Sequence, residues 1–134
     1  MNYIKFFWKP AAWGFFVIIL SAIDTTDMSR PRVFNFQHFD KVLHFTMYLI
    51  FTYLLIADMI RSGITGGYLY LSFILSTSAA VFFGGAMEIL QMIPVLHRNA
   101  SFSDFFANAA GAVMAVVLFR PVKQIIAVVN SDQS

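Results

Sequence analysis

The sequence predicts an all-α fold: a polytopic membrane protein made of one bundle of four transmembrane helices. Three observations carry that expectation. Hydrophobic residues fill 59% of the 134 positions and charged residues only 12%, about half the share of a typical soluble domain. Mean hydropathy is +0.72. Sixteen Phe residues would need a core larger than so short a chain can wrap in water. The same apolar content excludes disorder. The formal net charge of +2 comes from 9 Lys+Arg against 7 Asp+Glu. These charges are scattered along the chain, which excludes a nucleic-acid surface and a nucleic-acid partner. Cys is absent, which removes disulfides, thiolate metal sites and Cys nucleophiles.

Four apolar stretches, about 4–23, 42–60, 68–93 and 102–119, each approach the roughly 20 residues that a bilayer helix needs. The first is centred on Ala11–Ile23, behind Lys5, Lys9 and Pro10. It reaches full length if Phe6, Phe7, Trp8 and Trp13 anchor at the interface while the lysines snorkel. A signal peptide is the competing reading. Against it, Leu20-Ser21-Ala22 lacks the small residue usual at the −3 place, and the tryptophans are atypical. The second stretch is closed by Asp58, Arg61 and Ser62, and Gly63-Ile64-Thr65-Gly66-Gly67 follows as a turn. The third is ended by Pro94 and interrupted only by Glu88. The fourth stops at Arg120-Pro121, and Ile125–Val129 is too short to span and reads as an interfacial tail. The chain is thus one domain with no internal repeat.

An even number of spans puts both ends of the chain on one side. That side collects Lys5, Lys9, Arg61, Arg120 and Lys123, and the other holds Arg30, Arg32, Lys41 and Arg98. The count is nearly even, so the lysines ahead of the first span decide it. Both termini are expected in the cytoplasm, with the protein multi-pass in the cell membrane and membrane lipids as its partners.

Polar residues gather at the outer end of this topology. Asp40, Lys41, His44 and Tyr48 open the second span, and Lys41, His44 and Tyr48 share one helix face. Glu88 and Gln91 lie near the end of the third span, Arg98 in the loop beyond, and Ser101, Asp104 and Asn108 open the fourth. Glu88 precedes Pro94 by six residues, or roughly 9 Å of helix rise. A carboxylate at that depth must be paired, protonated or facing a wet cavity. Lys41 and Arg98 are the expected partners. Ser76, Ala80, Gly84 and Glu88 recur every four residues, and Ala107, Gly111 and Ala115 repeat the pattern on the fourth span. Such stripes predict that spans three and four pack most closely.

Each residue also has a plainer reading. Asp40 fits a helix N-cap, and Ser101-x-x-Asp104 a capping box. Lys41 fits a snorkelling lysine and Tyr48 a belt aromatic, while His38 and His97 fit ordinary loop histidines. Glu88 fits a structural ion pair. His44, Glu88 and Asp104 match no metal-binding spacing, so neither metal nor cofactor is expected.

As a set, Asp40-Lys41-x-x-His44-Phe45-x-x-Tyr48, Glu88-x-x-Gln91 and Arg98-x-Ala-Ser101-x-x-Asp104-x-x-x-Asn108-x-x-Gly111 resemble the VanZ-like family of small bacterial membrane proteins. The resemblance spans about residues 36–115 in the family's order. It departs at His97, where the family commonly has Gly, and at Ala115, often Gly. The resemblance implies a four-span membrane protein, and the family's founding member is associated with teicoplanin resistance.

The expected function is binding of an envelope lipid, a cell-wall precursor or a lipidated glycopeptide at the outer pocket. Lys41 and Arg98 would meet phosphate or carboxylate, and Tyr48, Gln91 and Asn108 would supply neutral hydrogen bonds. The alternative is an enzyme acting on a lipid-linked substrate, with His44, Glu88 and Asp104 as acid–base groups. No nucleophile motif such as Gly-x-Ser-x-Gly is present. Proton-coupled transport stands third, because the polar groups stop at one face. Oligomeric state is not legible.

The topology generates a direct test. In this Cys-free chain, Ser29→Cys and Asn99→Cys should label from outside intact cells while Ser131→Cys stays protected. The reverse pattern would invert the orientation, and a cleaved N-terminus would restore the signal peptide.

Overall fold

Lipid as solvent inverts the usual distribution of side chains, and the bundle shows it. The computed structural model describes residues 4–22, 39–93 and 101–131. Four helices follow in order: α1 (Ile4–Ala22), α2 (Phe39–Ser62), α3 (Leu69–Gln91) and α4 (Phe102–Ser131). The fold is all-α. Large apolar side chains face outward, with Phe82 81% and Phe102 89% exposed. The interior instead holds Ser21, His44, Thr52, Asp58, Glu88 and Asn108. Lipid tails are as apolar as a leucine core, so packing and interhelical hydrogen bonds must join the helices.

Three helical segments, Phe39–Ser62, Leu69–Gln91 and Phe102–Arg120, are long and apolar enough to cross a membrane. This is a membrane protein. The helix expected at 4–23 forms, but α1 is not among those three. Lys5 and Lys9 interrupt its start, and only 12 residues follow Pro10. They rise roughly 18 Å, against about 30 Å of hydrocarbon. The helix is nevertheless tied to the bundle. Trp13 Nε1–H donates to the Met47 carbonyl at 3.0 Å, and Val17 shares a core with Met47, Tyr48, Ala80 and Ala112. Pro121, expected to stop the fourth helix, sits inside α4, which runs on to Ser131, as Pro10 sits inside α1; Pro94 lies outside the described residues. Proline removes one main-chain donor, which kinks a helix without necessarily ending it.

The helix pairing departs from expectation. The most extensive contact joins α2 to α4, not α3 to α4. A Cβ on Gly111 would overlap the Phe45 carbonyl oxygen and lie 3.1 Å from the Leu49 nitrogen. Gly111 therefore admits the main chain of α2. Gly84 does something else: a Cβ there would meet the Tyr48 ring at 3.1 Å and Asn108 at 3.3 Å. It makes room for side chains of α2 and α4. A small residue marks a close approach but not the partner that makes it.

At the far end, Gly63, Gly66 and Gly67 turn the chain with φ of 68°, 60° and 87°, conformations that cost glycine no steric penalty. Thr65 and Ser72 hydroxyls pair at 2.8 Å across this turn. Buried polarity does not stop at one end of the bundle, contrary to the sequence reading. Asp58, Ser62, Thr65, Ser72 and Ser76 are all buried toward this end, and Asp58 Oδ1 accepts from Arg61 at 3.2 Å. Isolated Ser and Thr residues barely lower a hydropathy average, so their shared burial appears only once the helix faces meet.

The glycine contacts rank three substitutions. Gly111→Leu should abolish recovery of folded protein in detergent. Gly84→Ala should destabilise by about 1–3 kcal/mol. Gly85→Ala, whose methyl would sit an ordinary 3.6 Å from Phe105, should leave the melting temperature unchanged. Thermal unfolding of the three in one detergent checks the order, and a Gly111→Leu protein with wild-type stability would contradict the packing.

Candidate functional site

The alternating course of the helices gathers one set of ends. α1 and α3 finish where α2 and α4 begin, so Ser21, Asp40–Tyr48, Glu88–Gln91 and Ser101–Asn108 share one end of the bundle. Helical spacing then selects faces. Asp40, His44 and Tyr48 stack along α2 at intervals of four, as Asp104 and Asn108 do on α4.

Asn108 is the hub, only 1% exposed. Its Oδ1 lies 3.0 Å from His44 Nδ1, and its Nδ2 makes a long 3.5 Å contact with Glu88 Oε1. A carboxylate only accepts, so the amide must turn its NH2 to Glu88 and its carbonyl to His44. His44 Nδ1–H is then the donor, the tautomer that in an uncharged imidazole leaves the lone pair on Nε2. One amide thus joins α2, α3 and α4.

Glu88 Oε2 accepts the main-chain N–H of Ser101 at 3.2 Å, immediately ahead of α4. The carboxylate therefore satisfies a donor at the positive end of that helix. The expected ion pair with Lys41 is not formed. Lys41 is half-buried and makes no ion pair with a described residue. Arg98, the other expected partner, lies outside the described residues, as do His38 and His97.

The remaining residues divide. Ser101 does not use its hydroxyl in a capping box; Oγ pairs with Ser103 Oγ at 2.6 Å. Its carbonyl accepts Asp104 N–H at 3.0 Å. Gln91 points away from the hub, and Nε2 donates to the Ser21 carbonyl at 3.2 Å, tying α3 to the end of α1. Tyr48 is inside the bundle at 1% exposure, against Phe51 and Phe83, not in an interfacial belt. Its hydroxyl has no hydrogen-bond partner among the described residues. Asp40, His44 and Asp104 form a second group, with one ligand-type atom of each within 4.8 Å of the others. These are the described residues that combine suitable donors for a metal.

Beside the hub lies a cleft of about 270 Å³ between α3 and α4. Glu88 and Ser101 form its polar part, and Gly85, Ile89, Met92, Phe102 and Phe105 line the rest. Phe105, Ser21 and Ser103 escape the sequence reading. A phenylalanine among sixteen and two isolated serines carry no signal until helices meet around them. Comparisons with protein-family models, curated proteins and solved structures find no significant match.

The hub makes unequal demands on its members. Asn108→Leu leaves both His44 and Glu88 short of a partner, at about 1–3 kcal/mol for each buried group. Gln91→Leu removes one bond to a carbonyl and should cost about 1 kcal/mol. Melting temperatures in detergent should separate the two clearly; equal losses would remove Asn108 from the centre of the site.

Proposed function

We propose that this chain is a VanZ-like binding module of the bacterial cytoplasmic membrane. It takes an amphipathic envelope ligand: a lipid, a cell-wall precursor or a lipidated glycopeptide. In this reading α1 completes four spans with its lysines at the interface, both termini lie in the cytoplasm, and the hub faces outward. The observation that carries it is the cleft between α3 and α4. Its walls of Ile89, Met92, Phe102 and Phe105 suit an acyl or isoprenoid chain, while Glu88 and Ser101 offer hydrogen bonds to a polar head. A role in teicoplanin-type resistance belongs to this proposal as the phenotype such binding would produce.

A second reading has support of its own. An enzyme acting on a lipid-linked substrate would use His44, Glu88 and Asp104 as acid–base groups, and Asn108 holds the imidazole in one tautomer beside a carboxylate. Transport stands third, drawing on the buried hydroxyls of Tyr48, Thr52 and Ser76, which have no hydrogen-bond partner among the described residues.

The binding reading is tested by mass spectrometry of lipids that co-purify with the chain. Wild-type protein should carry a defined lipid or precursor, and Gly85→Leu, which fills the cleft, should carry at least tenfold less at unchanged stability. Equal recovery from both proteins would discard the cleft as the site. Chemical conversion of the bound lipid by wild type but not by His44→Gln would replace binding with catalysis.

A further inference from the structure

We propose that Asp40, His44 and Asp104 form a binding site for a divalent transition-metal ion at the polar end of the bundle. One ligand-type atom from each residue lies within 4.8 Å of the others. Donors around a zinc-sized ion at about 2.1 Å lie roughly 3–3.5 Å from one another, so modest side-chain rotation closes the set. Asp40, half-buried, is the least enclosed of the three.

The local architecture suits a metal. Asp40 and His44 are four residues apart on α2, the spacing that puts two ligands on one helical face, as in helical zinc motifs. Asp104 supplies the third ligand from α4, and three protein ligands leave positions open for an outside group. Glu88, which the sequence groups with His44 and Asp104, is engaged elsewhere by Ser101 and Asn108.

A separate observation comes from the imidazole. His44 is 3% exposed, and its Nδ1–H donates to Asn108. A metal-binding histidine is typically oriented by such a bond through its other nitrogen. Its Nε2 has no hydrogen-bond partner among the described residues. Asp104 is 9% exposed, and a place where two carboxylates and an imidazole converge offers a divalent cation ligands of the right charge and type. The nitrogen and oxygen donors, with no thiolate in the chain, favour Zn²⁺ or Mn²⁺ over soft ions.

The test uses the full chain in detergent, stripped with chelator and titrated with Mn²⁺ by electron paramagnetic resonance. Wild type should bind one Mn²⁺ per chain, displaced by one equivalent of Zn²⁺. Asp104→Asn and His44→Gln should weaken binding at least tenfold, and Asn108→Ala by a smaller factor. Asp58→Asn, at the opposite end, should bind as wild type does. If the buried variants do not fold, the half-buried Asp40→Asn provides the same comparison. No saturable binding of Mn²⁺ or Zn²⁺ by wild type overturns the site, as does wild-type affinity in a folded Asp40→Asn or Asp104→Asn protein. Gly85→Leu should leave the titration unmoved, so the metal site and the lipid cleft stand or fall separately.

Discussion

A carboxylate buried beside lipid sets the terms for the rest of this bundle. An ionised Glu costs up to about 2.5–3.5 kcal/mol at the centre of a membrane helix, and Glu88 is 8% exposed. The protein surrounds it with oriented donors. The Ser101 N–H and the Asn108 amide both point at it, and each comes from the start of α4. The acid on α3 therefore dictates where α4 begins and which of its faces turns inward. Asn108 passes the same constraint to α2 through His44.

Those bonds are reachable because the helices approach closely at two glycines that act differently. Gly111 lets the main chain of α2 come against α4, and Gly84 opens space on α3 for Tyr48 and Asn108. A methyl at either place meets atoms of the neighbouring helices before Asn108 settles between its partners. The hub and the packing are one arrangement. In a membrane, where apolar burial separates helices from lipid only weakly, that coupling gives the bundle much of its specificity.

Asn108 touches one member of each of the two chemical features at this end. Toward α3 is the cleft with Glu88 and Ser101, and toward the start of α2 is the group of Asp40, His44 and Asp104. An amide that donates to one acid and accepts from the imidazole links them.

Composition and hydropathy by themselves determined that the chain is helical and belongs in a membrane, because the bilayer demands long apolar runs and such runs are visible in one dimension. Turn chemistry at Gly63–Gly67 was equally legible, since only glycine adopts those φ values without strain. The order of the spans also brought Asp40, Lys41, His44, Tyr48, Glu88, Gln91, Asp104 and Asn108 to one end. Partner identity was not legible. Lys41 and Arg98 were the expected ion-pair partners for Glu88; Lys41 does not pair with it, and a main-chain N–H and an amide donate to it, donors of which the main-chain one has no sequence signature. The small-residue stripes marked close contacts but not that Gly111 meets α2. The isolated Thr52 and Ser72 gave no sign of sharing a buried interior. Periodicity shows which residues lie on a face; only the tertiary structure decides which face it meets, because that depends on the rotation and depth of every helix at once.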